Sequence, residues 1–201
     1  MKIGVFGGTF DPVHYGHLIL AEWIINVLQL DRFIFIPANV PPHKQDDDVT
    51  PSQLRLEMLR FAIQNNPSLE VSDIEIKREG VSYSIDTILE LRRKLNLTSQ
   101  ELFTIIGADS ILDFHKWHRP MDILNSSQVV VYKRMDYDLS NLRKDYSERI
   151  LVVDNPIIEI SSTLVRELIR KDYSIKYLVP PSVETYIHIN ELYKKNVDFG
   201  C

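Results

Sequence analysis

The sequence predicts an α/β fold, a parallel sheet with helices on both faces. Short apolar runs rich in Val, Ile and Phe alternate with longer segments whose apolar residues recur at helical spacing. A pair of glycines stands directly after the first of these runs, as at a strand end that turns sharply. At 201 residues the chain corresponds to roughly 1.3 average domains. No composition break divides it, so residues 1–201 are expected to form one domain whose C-terminal part, about 160–195, is helical.

The elements follow in order. Lys2–Phe6 reads as a first, buried strand, and Leu18–Leu28 as a helix with Leu18, Ala21, Ile25 and Leu28 on one face. Arg32–Ile36 is strand-like and stops at Pro37; Ser52–Gln64 is a helix carrying Leu56, Leu59 and Ile63. Leu69–Ile76 reads as a strand and Ser84–Leu95 as a helix. Leu102–Ile106, Gln128–Tyr132 and Arg149–Val153 are three further strands, and Ser162–Arg170 and Ser182–Tyr193 are closing helices. Between them lies a long loop, Ala38 to Pro51, with Pro41, Pro42 and the acidic run Asp46–Asp48; loops of this length are often functional.

Composition excludes several classes. With 23 Lys+Arg against 28 Asp+Glu, the net charge of −5 lacks the basic surplus of a general nucleic-acid binder. The most apolar stretch, Leu18 to Leu30, is interrupted by Glu22, Asn26 and Gln29 and is too short to span a bilayer. MKIGVFGG lacks the apolar core of a signal peptide. The single cysteine, Cys201, has no partner in the chain, so a reducing, cytoplasmic setting is expected.

Candidate chemistry gathers at strand ends, because ligands of open parallel sheets bind outside the carboxyl ends of the strands. The first end reads Gly7-Gly8-Thr9-Phe10-Asp11-Pro12-Val13-His14-Tyr15-Gly16-His17. It matches neither G-x-G-x-x-G nor a Walker loop. Asp11-Pro12 suits a helix start. His14 and His17 would then sit one turn apart near the positive end of that helix, with Gly16 keeping the space between them open. They could donate to phosphate oxygens or pair on a metal, although no third ligand lies nearby. Lys44 on the long loop could close over an anion. Gly107-Ala108-Asp109-Ser110 follows another strand, where the glycine admits a flat ligand and Asp109 either accepts from sugar hydroxyls or caps a helix. Trp117, between His115 and His118, either stacks on a ring or plugs the core. Ser161, Ser162 and Thr163 open a helix whose amides make an anion site, and Arg166 adds a forked charge there or stays on the surface.

Taken together, GGTFDPVHYGH at 7–17, PANVPPHK at 37–44, SYSIDT at 82–87, GADS at 107–110, Trp117, ISSTLVR at 160–166 and YLVP at 177–180 resemble the nicotinate-nucleotide adenylyltransferase family of the nucleotidyltransferase superfamily. The resemblance runs nearly end to end, with the motifs in order. It implies the Rossmann-like H-x-G-H nucleotidyltransferase fold and transfer of AMP from ATP to nicotinate mononucleotide, the step before NAD, with release of pyrophosphate. It implies catalytic roles for His14, His17 and Arg166, and ATP contacts from Gly7, Gly8, His14, His17, Gly107, Asp109, Ser161, Ser162, Thr163 and Arg166. Thr9, Phe10, Lys44, Ser84 and Trp117 would meet nicotinate mononucleotide. The family commonly reads S-Y-T-I-D-T, so Ser84 replaces a threonine near the pyridine carboxylate while keeping its hydroxyl. The acceptor phosphate, with second pKa near 6, is mostly dianionic at neutral pH and needs no general base. Mg²⁺ is expected on the ATP phosphates, held by substrate and water rather than by a set of protein ligands. A homo-oligomer such as a dimer is compatible with the sequence, which does not set the oligomeric state; neither a nucleic acid nor a membrane is an expected partner.

Two rival readings are weaker. A phosphopantetheine adenylyltransferase shares H-x-G-H, but Trp117, PPHK and SYSIDT belong to the pyridine-nucleotide branch. A non-catalytic nucleotide sensor has little need of His14, His17 and Arg166 aimed at a leaving group.

Overall fold

The computed structural model describes residues 1–41, 49–140 and 142–194. Its elements are β1 (Ile3–Gly8), α1 (Tyr15–Leu28), β2 (Arg32–Pro37), α2 (Ser52–Ile63), β3 (Leu69–Val71), α3 (Ile74–Arg78), α4 (Ser84–Leu95), β4 (Leu102–Gly107) and α5 (Ala108–Ile111). A 3₁₀ turn (Phe114–Lys116) follows, then α6 (Pro120–Ser126), β5 (Gln128–Tyr132), α7 (Lys144–Ser147), β6 (Ile150–Val153), α8 (Ser162–Arg170) and α9 (Pro181–Ile189). The strands form one parallel sheet in the order β3-β2-β1-β4-β5-β6. The chain winds outward from β1 to β3 and returns to place β4 on the other side of β1. The strand order therefore reverses between β1 and β4, which opens a crevice at their carboxyl ends.

The apolar runs are continuous because both faces of the sheet are covered. Phe6, Phe33, Phe35 and Val130 face one core with Leu20 and Ile24 of α1, Met58 and Leu59 of α2, Val165 of α8 and Val183 of α9. Ile3, Val5, Ile34, Ile36, Val129 and Val131 face the other, with Ile85, Ile88 and Leu91 of α4 and Ile123 of α6. Successive residues thus alternate between cores, as the strand period requires. Among the described residues no helix is long and apolar enough to cross a membrane.

Three expectations about elements need correction. The strand expected over 69–76 ends at Val71, and Ile74–Arg78 is helical. Here β3 is an edge strand paired only with Phe33–Phe35, and a helical turn buries the adjacent Ile74 and Glu75 together, which a strand cannot do on one face. Asp11-Pro12 does not start a helix. Its peptide bond is cis, and α1 begins at Tyr15 with His14 as its N-cap. The last helix closes at Ile189 rather than Tyr193. The segments α5, α6, α7 and the 3₁₀ turn span three to seven residues each, too few to show a helical period.

Candidate active site

The chain leaves β1 at Gly8 and crosses the sheet's carboxyl edge before α1 begins. His14 caps that helix and His17 lies in its first turn. Their rings stack with centroids 3.7 Å apart and planes at 24°. The His14 backbone N–H donates to His17 Nδ1 over 3.3 Å, which puts the proton of a neutral His17 ring on Nε2. Gly16 makes room for the His14 ring itself: a Cβ there would lie 3.0 Å from its Nδ1. Burial, with the nearby Arg134 charge, pushes His14 down to about 3. Burial likewise holds His17 well below the usual imidazole range, with His14 and Arg134 adding to the effect. The pair is neutral at pH 7. The positive charge beside the pair therefore comes from other side chains: Arg134 and Arg166 line one cavity with both histidines, and Lys133 lines a second.

Three cavities run along this edge. The middle one, about 330 Å³, is lined by Thr9, Asp11, His14, His17, Asp109, Arg134, Arg166 and the start of α8, Ser161–Thr163. A second, about 250 Å³, has apolar walls from Leu20, Tyr132, Met135 and Ile157 beside the polar Asn155. The residues it shares with the middle cavity are His14, His17 and Arg134. A third, about 180 Å³, is lined by Gly7, Gly8, Thr9, Ser82, Tyr83, Ser84, Trp117 and His118, and meets the middle cavity at Thr9. The set offers an aromatic-walled slot, a central anion site and a second flat slot in one line.

The sequence matches the cytidylyltransferase-like family model over residues 5–168. The probable nicotinate-nucleotide adenylyltransferase of Dictyoglomus thermophilum is 43% identical over 197 residues, covering 96% of this chain and 100% of that protein. The nicotinate-nucleotide adenylyltransferase of Bacillus subtilis is 41% identical over 193 residues, covering 96% and 98%. The chain belongs to the nicotinate-nucleotide adenylyltransferase family. Its fold is shared by Plasmodium falciparum nicotinic acid mononucleotide adenylyltransferase, solved in complex with NaAD, at 19% identity, a TM-score of 0.77 and 96% and 97% coverage.

For a nicotinate-nucleotide adenylyltransferase, the placement of the expected residues is mixed. His14, His17, Asp109, Ser161, Ser162, Thr163 and Arg166 line the middle cavity together. Arg166 Nη1 donates to the Asp11 carbonyl at 2.6 Å, leaving its charge uncancelled by any carboxylate in that bond. Ser161 Oγ accepts from the Leu164 N–H, capping α8, and Ser162 Oγ donates to the Pro12 carbonyl at 2.8 Å. Trp117, packed on Phe114 at 5.3 Å, and Ser84, the first residue of α4, line the third cavity. Lys44 and Asp46–Asp48 lie outside the described residues.

Four of the expected residues, Gly7, Gly8, Phe10 and Gly107, do not line the middle cavity. Gly7 and Gly8, expected to meet ATP, line the third cavity, and Gly8 leaves room for the Phe10 ring, 2.9 Å from where its Cβ would be. Phe10 turns its side chain into the core against Phe35 and His17, from a left-handed backbone at φ 50°. Gly107 lines none of these cavities; its missing Cβ lets Asp109 and the Tyr132 hydroxyl approach. Asp109 gives one oxygen to Arg134 at 2.9 Å, and its buried Oδ1 has no hydrogen-bond partner.

Sequence reasoning missed Arg134 and Arg55. Arg134 stands two residues past β5, so the strand-end rule could have found it. Arg55 is a fully buried arginine of α2 that donates to the carbonyls of Thr50, Thr9, Ala38 and Asn39. No sequence signal separates it from a surface arginine. Among the described residues, no group of three or more His, Cys, Asp and Glu side chains is placed to hold a metal ion.

Proposed function

We propose that this enzyme transfers the adenylyl group of ATP to nicotinate mononucleotide, giving nicotinate adenine dinucleotide and pyrophosphate. The observation that carries the reading is the line of three cavities joined by His14, His17 and Arg134 on one side and Thr9 on the other. It fits a reaction in which two nucleotides meet at a phosphate. Relatives about 40% identical over nearly the full length carry this activity in their names.

In this reading the adenine occupies the cavity walled by Tyr132 and Ile157, with Asp109 toward its ribose. The triphosphate lies in the middle cavity, under the α8 N-terminus and Arg166. The pyridine ring stacks on Trp117, its substituent faces the Ser84 hydroxyl, and its phosphate passes Thr9. Mg²⁺ enters as part of the substrate, on the ATP phosphates. An oxygen of the acceptor phosphate forms a bond to the α-phosphorus as the bond from that phosphorus to the β-bridging oxygen breaks. Pyrophosphate departs with the electron pair. The nucleophile arrives already ionised, so the protein's task is to position two anions and to stabilise charge on the leaving group. A neutral His17 is suited to this. It donates from Nε2 without demanding a proton, and the ring, packed on Phe6, Phe10 and His14, needs no reorganisation when charge develops.

The test is a panel of acceptors. The protein is incubated with Mg²⁺, ATP and, separately, nicotinate mononucleotide, nicotinamide mononucleotide and phosphopantetheine, and products are identified by mass. The highest kcat/KM is expected with nicotinate mononucleotide. Equal or greater efficiency with nicotinamide mononucleotide would refute the acceptor assignment.

A further inference from the structure

Arg134 occupies a position that the family motifs do not mark. It lines both the middle cavity and the slot walled by Tyr132 and Ile157, and only the two motif histidines share that placement. Anything that runs from the slot into the anion site passes these three side chains. Two of them are neutral imidazoles. Arg166, the other cation of the middle cavity, is tied to the Asp11 carbonyl. Arg134 instead rests on Asp109, an ion pair whose side chains remain 39% and 30% exposed. A pair so exposed contributes little to the fold and is readily exchanged for a better partner. The better partner is a triphosphate, whose oxygens accept both arms of the guanidinium fork while Asp109 keeps its unpartnered Oδ1 for a hydroxyl donor.

We propose that Arg134 is a further catalytic residue of this enzyme, the guanidinium that leaves Asp109 to bind the ATP phosphates and steady the departing pyrophosphate opposite Arg166. This rests on the adenylyl-transfer reading above. No bond to Arg134 forms or breaks; it contributes charge and two hydrogen bonds to oxygens whose charge grows as pyrophosphate leaves.

The reverse reaction separates this role from a structural one, because pyrophosphate carries the β- and γ-phosphate oxygens that Arg134 would hold, and the dinucleotide lacks them. The wild-type enzyme, Arg134→Ala and Arg134→Lys are assayed in both directions, with melting temperatures as a fold control. Arg134→Ala should lower kcat/KM for ATP and for pyrophosphate by about 10²-fold. The KM values for nicotinate mononucleotide and nicotinate adenine dinucleotide, and the melting temperature, should hold. Arg134→Lys should recover only part of the loss, since an ammonium lacks the fork, and free guanidinium should restore Arg134→Ala partially. Unchanged kinetics in Arg134→Ala, or an equal loss toward every substrate, would overturn the proposal. If the wild-type enzyme itself formed no dinucleotide, the parent reading would fall and the proposal with it.

Discussion

Replacing Arg55 with methionine should damage the acceptor side of the enzyme before anything else. The arginine is 1% exposed and its four hydrogen bonds all end on main-chain carbonyls. Those carbonyls belong to Thr9 after β1, Ala38 and Asn39 after β2, and Thr50 before α2, so one side chain fastens both ends of the long loop to the edge of the site. Methionine keeps the length and fills much of the volume but donates nothing. The buried Ala38 carbonyl loses its donor at about 1–3 kcal/mol, and the three partly exposed carbonyls exchange charged bonds for water at about 1 kcal/mol each. Methionine also avoids the cost of burying a charge, so the net loss is about 3–5 kcal/mol. For a chain of this size that lowers the melting temperature by about 6–20 °C. Calorimetry measures it directly. Below the transition, KM for nicotinate mononucleotide should rise more than KM for ATP, because Ala38 lines the third cavity and neither of the other two. A melting temperature within about 3 °C of wild type, or equal effects on both substrates, would refute the reasoning.

Three further outcomes are expected. His17→Ala should lower kcat by about 10²-fold, as loss of a preorganised donor does, and an unchanged kcat in a steady-state assay would remove His17 from the chemistry. The His14 ring sits at about 3 in the fold against 6.5 when free, so the unfolded chain binds a proton that the folded one refuses. Stability from this group is complete above pH 6.5 and is lost as pH falls toward 3, by about 2 kcal/mol between pH 7.5 and 5. Urea midpoints at those two pH values should show that loss, and His14→Gln should show it reduced; equal pH dependence in both proteins would contradict the burial argument. Trp117→Ala should raise KM for the pyridine nucleotide and spare KM for ATP, whereas parallel weakening of both would assign Trp117 to packing on Phe114.

Particular residues show what the sequence made legible. Lys2–Phe6, Arg32–Ile36 and Gln128–Tyr132 could be read as strands because a sheet covered on both faces needs apolar residues at every position. Ser84–Leu95 and Ser162–Arg170 were legible to the residue because their polar and apolar faces separate cleanly. Ile74–Arg78 was not, since five residues hold too little periodicity to tell a helical turn from a strand extension. At the site, the spacing of His14 and His17 brought two imidazoles to one helix end, but their neutrality depends on burial, for His17 against Phe6 and Phe10, which spacing does not encode. The Asp11 carboxylate accepts from Tyr193, 182 positions away, and such long-range partners have no local signature. Arg55 was invisible for the same reason. Only the assembled fold reveals the carbonyls that surround it.

The central claim is that the adenylyl group passes directly between two anions held in line, with no covalent stop on the protein. ATP made chiral at the α-phosphorus by sulfur substitution tests this most directly. The account predicts a nicotinate adenine dinucleotide analogue with inverted configuration at that phosphorus and no adenylylated protein by mass. Retention of configuration, with AMP found on His14 or His17, would contradict it.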